Sequence, residues 1–312
     1  MLYALSHHTV YQYPSPASVS HHLVHLRPRE SARQHLLEFA LEVDPAPAAA
    51  VERTDYFGNA TSFIAVEVPH RGLSITARSR VRVIAPIWPD PGATPAWEMA
   101  RDGDSSTALA SDGRPGEFLF DSQHVVSQPA LADYAAESFR PGCPLLEGVV
   151  DLNGRIFRDF TFDPRATTIS TPVAEVFKKR RGVCQDFAHL GISCLRSLGL
   201  AARYVSGYLE TVPPPGKRRL VGADASHAWF SVWCPGHGWI DADPTNNLLP
   251  AERHITVAWG RDYSDVSPVR GVVVGGGEHR LKVGVDVARI EEPPAAIAAT
   301  QVAPSADSGN YF

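Results

Sequence analysis

Along the first third of the chain, apolar residues recur at every second position. Leu73, Ile75, Ala77, Ser79, Val81 and Val83 alternate with Ser74, Thr76, Arg78, Arg80 and Arg82, the side-chain repeat of a strand with one wetted face. Leu37, Phe39, Leu41 and Val43 form a second alternating set. The segment DYFGN, residues 55–59, supplies a turn before a third strand through Phe63 and Val66. Residues 1–84 are therefore expected to form an antiparallel β domain.

From 85 to 126 prolines dominate, among them Pro86, Pro89, Pro91, Pro95 and Pro115; this reads as a connector with little regular structure. The period then changes. Pro129 stands in the first turn of a helix carrying Leu131, Tyr134, Ala135 and Phe139, which stops at Pro141 and Gly142. A second helix is predicted from about 145 to 160. Thr171 and Pro172 open a third, with Val173, Val176 and Phe177 on its apolar stripe. The next opens at Cys184, and strands follow at 202–210, 225–233, 238–243 and 280–289. Helices followed by strands make 127–290 an α+β core, a cysteine-bearing helix packed on an antiparallel sheet. The tail 291–312, rich in proline and alanine without period, is expected to be disordered.

Composition narrows the field. The 312 residues are 44% hydrophobic, enough for a substantial core, and no apolar run approaches the roughly 18 to 20 residues of a membrane span. The first residues lack a basic start followed by an unbroken apolar stretch, so a cytoplasmic protein without a membrane partner is expected. A net charge of -5 without a basic block gives no footprint for nucleic acid. Cysteines 143, 184, 194 and 234 contain no CxxC pair, which points to neither a disulfide framework nor a zinc ribbon.

Cys184 begins the apolar face that continues through Phe187, Leu190, Gly191, Cys194, Leu195 and Leu198. A cysteine in the first turn of a helix meets unpaired N–H groups and the positive end of the dipole, which favour a thiolate. Cys194 lies mid-helix on the same face, where packing explains it. In SHAWFSVW, period two puts His227, Trp229, Ser231 and Trp233 on one face, and GWIDADPTN puts Trp239, Asp241 and Asp243 on one face of a returning strand. A three-residue loop of Cys234, Pro235 and Gly236 would set His227 opposite Asp243, with Cβ atoms roughly 5 Å apart. Proline is not ideal at the second position of that turn, and a bulge would bring Asp241 into play instead. A Cys, His and Asp so placed form a thiolate–imidazolium pair whose imidazole the carboxylate orients.

The motifs GVCQDFAHL, ARYVSGYL, DASHAW and GWIDADPTN between Arg181 and Asn247 resemble the bacterial branch of the transglutaminase-like superfamily, whose core is similar to that of papain-type thiol proteases. HHTVYQY, HLRPR and DYFGN resemble the β-rich N-terminal domain that accompanies this core in bacteria, and GRDYSDVSPVRGV at 260–272 fits the same family. The resemblance implies Cys184 as nucleophile, His227 as base and Asp243, in the DPT motif, as the orienting carboxylate, with no cofactor or metal. It implies attack on a peptide or glutamine carboxamide through a thioester. Hydrolysis is expected slightly ahead of amine transfer, because excluding water takes added structure that no segment of the sequence marks. Gln185, Tyr208, Trp229 and Trp239 are expected to contact the peptide or protein substrate. The other reading is a binding module of the same fold without chemistry.

Other signals carry less. His7, His8, His21, His22 and His25 invite a metal reading, but no carboxylate or cysteine completes a ligand spacing. Asp186 and His189 fall on the polar side of the Cys184 helix and read as solvated, with shaping the rim of the site as the other role open to Asp186. Gly275, Gly276 and Gly277 read as a hairpin turn, and no GxSxG elbow occurs.

Overall fold

The computed structural model describes residues 1–103, 114–211 and 226–291. The predicted disordered tail, apart from Glu291, and residues 104–113 of the connector lie outside the described residues. Strands β1 (Leu2–Val24), β2 (Gln34–Asp44), β3 (Ala49–Thr54), β4 (Ala60–Val66) and β5 (His70–Val83) form the expected antiparallel unit in the order β2-β5-β1-β4-β3. Pro14 and Pro16 have no N–H to give a ladder. The register of β1 on β5 breaks around them, between Gln12 and Ala17, so the first half of β1 pairs with β5 and the second with β4.

The alternation read through Leu37 needs one correction. Leu36 pairs with Val81 and Glu38 with Arg80, so Leu37 is the extra residue of a bulge. Leu37 is exposed, and Leu36 packs on the core in its place.

The connector is also more ordered than its prolines suggest. It contains a short helix, α1 (Trp97–Asp102), and buries Trp97, Phe118 and Val125. The Trp97 amide and indole N–H groups donate to Cys143 O and Arg140 O, both at 3.0 Å, so proline limits regular structure here without preventing packing.

The helices follow: α2 (Pro129–Ala136), α3 (Leu145–Asp159), α4 (Val173–Lys179) and α5 (Cys184–Ser197). Between them β6 (Thr161–Phe162) and β7 (Arg181–Gly182) make a short parallel pair that delivers the chain to α5. Then β8 (Ala202–Leu209), β9 (Ser226–Cys234), β10 (Gly238–Ala242) and β11 (His254–Gly260) build an antiparallel sheet ordered β10-β9-β8-β11. Helix α5 rests on this sheet very closely: a Cβ at Gly191 would stand 2.5 Å from the Phe230 ring. The architecture is α+β, with the cysteine-bearing helix on an antiparallel sheet. No helix among the described residues is long and apolar enough to cross a membrane.

After the short helix α6 (Tyr263–Val266), β12 (Val269–Gly275) and β13 (Arg280–Ile290) return to the first unit and pair with β1. The boundary at residue 84 thus divides the sequence but not the sheet. Gly275, Gly276 and Gly277 all have positive φ in the β12–β13 connection, a hairpin turn as expected. One apolar cluster joins Tyr3, Val81, Val285 and Val287 of the first unit to Leu190, Leu195, Phe230 and Ile255 of the second. The units are also tied by amides. Gln34 donates to Thr256 O and accepts from Thr256 N, at 2.7 and 2.8 Å, and Asn59 does the same with Trp259, at 2.8 and 3.0 Å. The Asn59 of DYFGN thereby holds β11 in place.

Candidate active site

Cys184 is the first residue of α5, preceded by an extended Val183 (φ -117°, ψ 179°). The Asp186 carboxylate reaches back to accept from the Val183 N–H at 2.8 Å and from Thr167 Oγ1 at 2.6 Å. Valine has no acceptor with which to return the bond, so the first-turn N–H groups carry no side-chain cap. Cys184 is half-buried at this tip, beside the open N–H groups of the first turn. Asp186 is therefore not on a solvated face, as its spacing suggested. It is 2% exposed, burial pushes its carboxyl up despite the bonds from Thr167 and Val183, and it fixes the entry to the helix. His189 is buried as well: it accepts from Tyr263 N at 3.1 Å and stacks on His124.

His227, at the start of β9, donates from Nε2 to Asp243 Oδ2 at 2.8 Å. With Nε2 committed to Asp243, Nδ1 is the ring nitrogen left to exchange a proton with a neighbouring group. Burial alone would lower the imidazole pKa. The hydrogen bonds to Asp243 and Cys184, and the charges behind them, prevail and push it up to about 10. A histidine so raised is an imidazolium at neutral pH.

The hairpin between β9 and β10 differs in register from the expected one. Cys234 pairs with Gly238 and Ser231 with Asp241, so the loop is Pro235, Gly236 and His237. His237 N donates to Cys234 O at 3.0 Å and Gly236 has φ 80°, a type II turn, which favours proline at its second position. In that register Asp243 is not opposite His227. The two still meet because β10 ends at Ala242 and Asp243 leaves the ladder, its N–H going to Leu248 O at 2.9 Å. A register change of two residues keeps every side chain on its predicted face. Asp241 is occupied elsewhere, accepting from Ser231 and facing Arg33 at 3.4 Å.

Asp243 is fully buried and its two oxygens collect five donors. Oδ1 accepts from Thr245 N and Asn246 N at 3.0 and 3.2 Å. Oδ2 accepts from His227, from Asn246 Nδ2 at 2.7 Å and from His254 Nε2 at 3.0 Å. Burial would raise this carboxyl; the bonds from His227 and His254 hold it well below the usual carboxylate range. Sequence reasoning missed Asn246 and His254. The Asp-Pro-Thr-Asn spacing was a legible sign of an Asx turn that would place Asn246, whereas nothing local marks the histidine that opens β11. One donor atom from each of His227, Asp243 and His254 lies within 4.8 Å of the others, a set that would also suit a metal. The contacts at 2.8 and 3.0 Å are ordinary hydrogen-bond lengths.

The remaining predicted residues are dispersed. Gln185, next to Cys184, is half-buried and donates to Ile169 O at 3.3 Å. Tyr208 is buried with its hydroxyl on His7 Nδ1 at 2.9 Å. Trp229 and Trp239, also buried, face the side of the sheet that α5 does not cover, Trp229 edge-on to His254 and Trp239 against Phe118. Alternation along these strands thus leaves Tyr208, Trp229 and Trp239 buried, on β8, β9 and β10.

Comparison with known proteins agrees with this architecture. Residues 3–82 match the bacterial transglutaminase-like N-terminal region, and residues 132–244 match the transglutaminase-like superfamily. An uncharacterized protein of Mycobacterium tuberculosis is 44% identical over 297 residues, covering 93% of each chain. A protein-glutamine gamma-glutamyltransferase of Pseudomonas aeruginosa is 32% identical over 103 residues, 30% of this chain and 15% of that one. A crystal structure from Cytophaga hutchinsonii, described as a "putative cysteine protease", superposes with a TM-score of 0.71 at 22% identity, covering 94% of this chain and 93% of the other; it shows the fold.

Proposed function

Because the chain belongs to the transglutaminase-like superfamily, with the bacterial N-terminal region ahead of its core, we propose that it is a thiol enzyme acting on amides. Cys184 is the nucleophile, His227 the acid and base, and Asp243 the group that holds His227. The observation that carries this reading is the buried hydrogen bond from His227 Nε2 to Asp243 at 2.8 Å, with Cys184 near enough to help raise the pKa of the same imidazole.

The thiol proton resides on His227, and the thiolate attacks the carbonyl carbon of a peptide or glutamine carboxamide. Negative charge gathers on the carbonyl oxygen, which the open N–H of Cys184 is placed to receive. His227 then gives its proton to the departing amine, the C–N bond breaks and a thioester remains. In hydrolysis, water adds to the thioester as His227 takes its proton, and the acid and the thiolate are released. Hydrolysis is favoured over amine transfer because Cys184 is only half-buried, and keeping water from a thioester takes a closed site.

The test is alkylation by iodoacetamide at neutral pH, read by intact mass and peptide mapping. One adduct is expected, on Cys184, and it disappears in His227→Ala. Cys194 and Cys234, pushed up by burial to about 12 and about 11, stay unmodified. Labelling insensitive to His227 would overturn the thiol-enzyme reading and favour a binding module. Labelling that changes after chelator treatment would point to a metal on His227, Asp243 and His254. A glutamine-peptide library with and without an added amine then separates the hydrolase from the transferase.

A further inference from the structure

β13 forms one border of the leading sheet. It pairs with β1 from Leu2↔Ile290 to Gln12↔Arg280, while β12 lies along the other half of β1, from Ala17 to Val24. Among the described residues no strand pairs with the second side of β13, so a row of its N–H and C=O groups is left without a ladder. Arg280, Leu281, Lys282 and Val283, at the start of this strand, are all exposed. Leu281 and Val283 nevertheless share a face with Val285 and Val287, which are buried in the core common to the two units. The apolar face of the strand thus outruns its cover.

On the opposite face stand Arg280, Lys282, Gly284 and Asp286, cations first and carboxylate last. Charges on a free border ordinarily repel a newcomer. This row, turned end for end, reads carboxylate first and cations last, so an antiparallel copy of the strand is its electrostatic complement. With a two-fold axis at Val283, Arg280 stands opposite the second copy's Asp286 and Lys282 diagonal to it; with the axis at Gly284, Lys282 takes the opposite place and Arg280 the diagonal one. An axis at Lys282 sets two lysines face to face, and a parallel copy in register sets like charge against like throughout. Asp286 already interacts within its own chain, and a carboxylate has about four acceptor positions, which leaves room for the second copy's cations.

The apolar face matches in the same arrangement. An axis at Val283 places Leu281 opposite the second copy's Val285, and an axis at Gly284 places Leu281 and Val283 opposite its Val287 and Val285, residues of its buried core. The exposed start of each strand is drawn toward the other's covered end.

We propose that two copies of this chain join through β13, antiparallel about a two-fold axis near Val283 and Gly284, so that one sheet runs through both leading units. The pairing uses the same border of each copy and therefore stops at two. It does not depend on the thiol chemistry.

Sedimentation velocity on the full chain, from about 1 to about 100 µM, reads the assembly. A monomer–dimer equilibrium is expected, weaker at high salt because the ion pairs lie at the surface. Asp286→Lys makes the polar row wholly positive, and Arg280→Glu with Lys282→Glu makes it wholly negative. Each variant alone is expected to dimerise at least about tenfold more weakly than the wild type, since like charges then face one another, and an equimolar mixture of the two to recover the dimer. Arg280 and Lys282 are exposed, so the doubly substituted chain is expected to keep the wild-type thermal midpoint, which separates a lost dimer from a lost fold. A wild-type chain that stays monomeric over the whole range would overturn the proposal, and so would a dimer that neither variant weakens or that the mixture fails to restore.

Discussion

His254 and Asp243 are joined at 3.0 Å through the same carboxylate oxygen that holds His227. The carboxylate therefore serves two imidazoles, one facing the sulfur and one facing the back of the sheet. Replacing His254 with Phe removes a donor to a buried anion, worth about 1.5–3 kcal/mol. Cys184 alkylation is expected to slow about tenfold or more, and the pH at which His227 loses its proton to move away from the wild-type value. His254→Asn, which keeps an N–H donor, is expected to recover part of both. An unchanged pH profile in His254→Phe would show that His254 only fills space.

Asp243→Asn tests the orienting carboxylate. With Asp243 in place, His227 stays charged until the pH passes about 10, so turnover that needs its proton should hold across neutral pH and fall on the alkaline side. The amide removes the negative partner. The alkaline fall is expected to shift to lower pH, and the rate at neutral pH to drop at least about 100-fold. Activity against pH, measured on both proteins, checks the shift.

Acid destabilisation has its own candidates in the first unit. Burial lowers His7 and His22 to about 4 from an ordinary value of 6.5, so between those limits the unfolded chain binds protons that the folded one does not. Their contribution is complete above about 6.5 and is lost as the pH falls toward 4. His7 bonds to Tyr208 across the seam between the units and to Thr9 of its own strand. Thermal midpoints are expected to fall over that window, and less steeply in His7→Gln. Parallel curves for the two proteins would acquit His7.

Gly191→Ala should destabilise the chain by about 1–3 kcal/mol, since its methyl group would meet the Phe230 ring and force α5 off the sheet. Urea denaturation measures the loss. Adding Phe230→Leu, which trims the opposing ring, is expected to return part of it, and strict additivity of the two changes would contradict the packing argument.

Much of this was legible in the sequence because it depends on local period and on residue chemistry. The alternation around His227 and Asp243 settled which face each occupies, and a hairpin register displaced by two residues left that unchanged. The position of Cys184 at a helix start followed from the apolar stripe behind it. What could not be read were relations across long separations. β13 completes a sheet begun at Leu2, His254 joins a carboxylate eleven residues earlier through an intervening turn, and Asp186 is buried by Thr167 and Val183 although helical spacing puts it on the polar side. The bulge at Leu37 was hidden for the opposite reason: two adjacent leucines fit either phase of a two-residue repeat.

The amides of Gln34 and Asn59 meet β11, the outermost strand of the second sheet, as a neighbouring backbone would. Excising residues 1–83 to obtain a smaller protein would strip that border of its partners and leave open peptide groups ready to recruit another molecule. Self-association is the expected fate of such a fragment, so the leading sheet is a condition for the solubility of the half that carries Cys184.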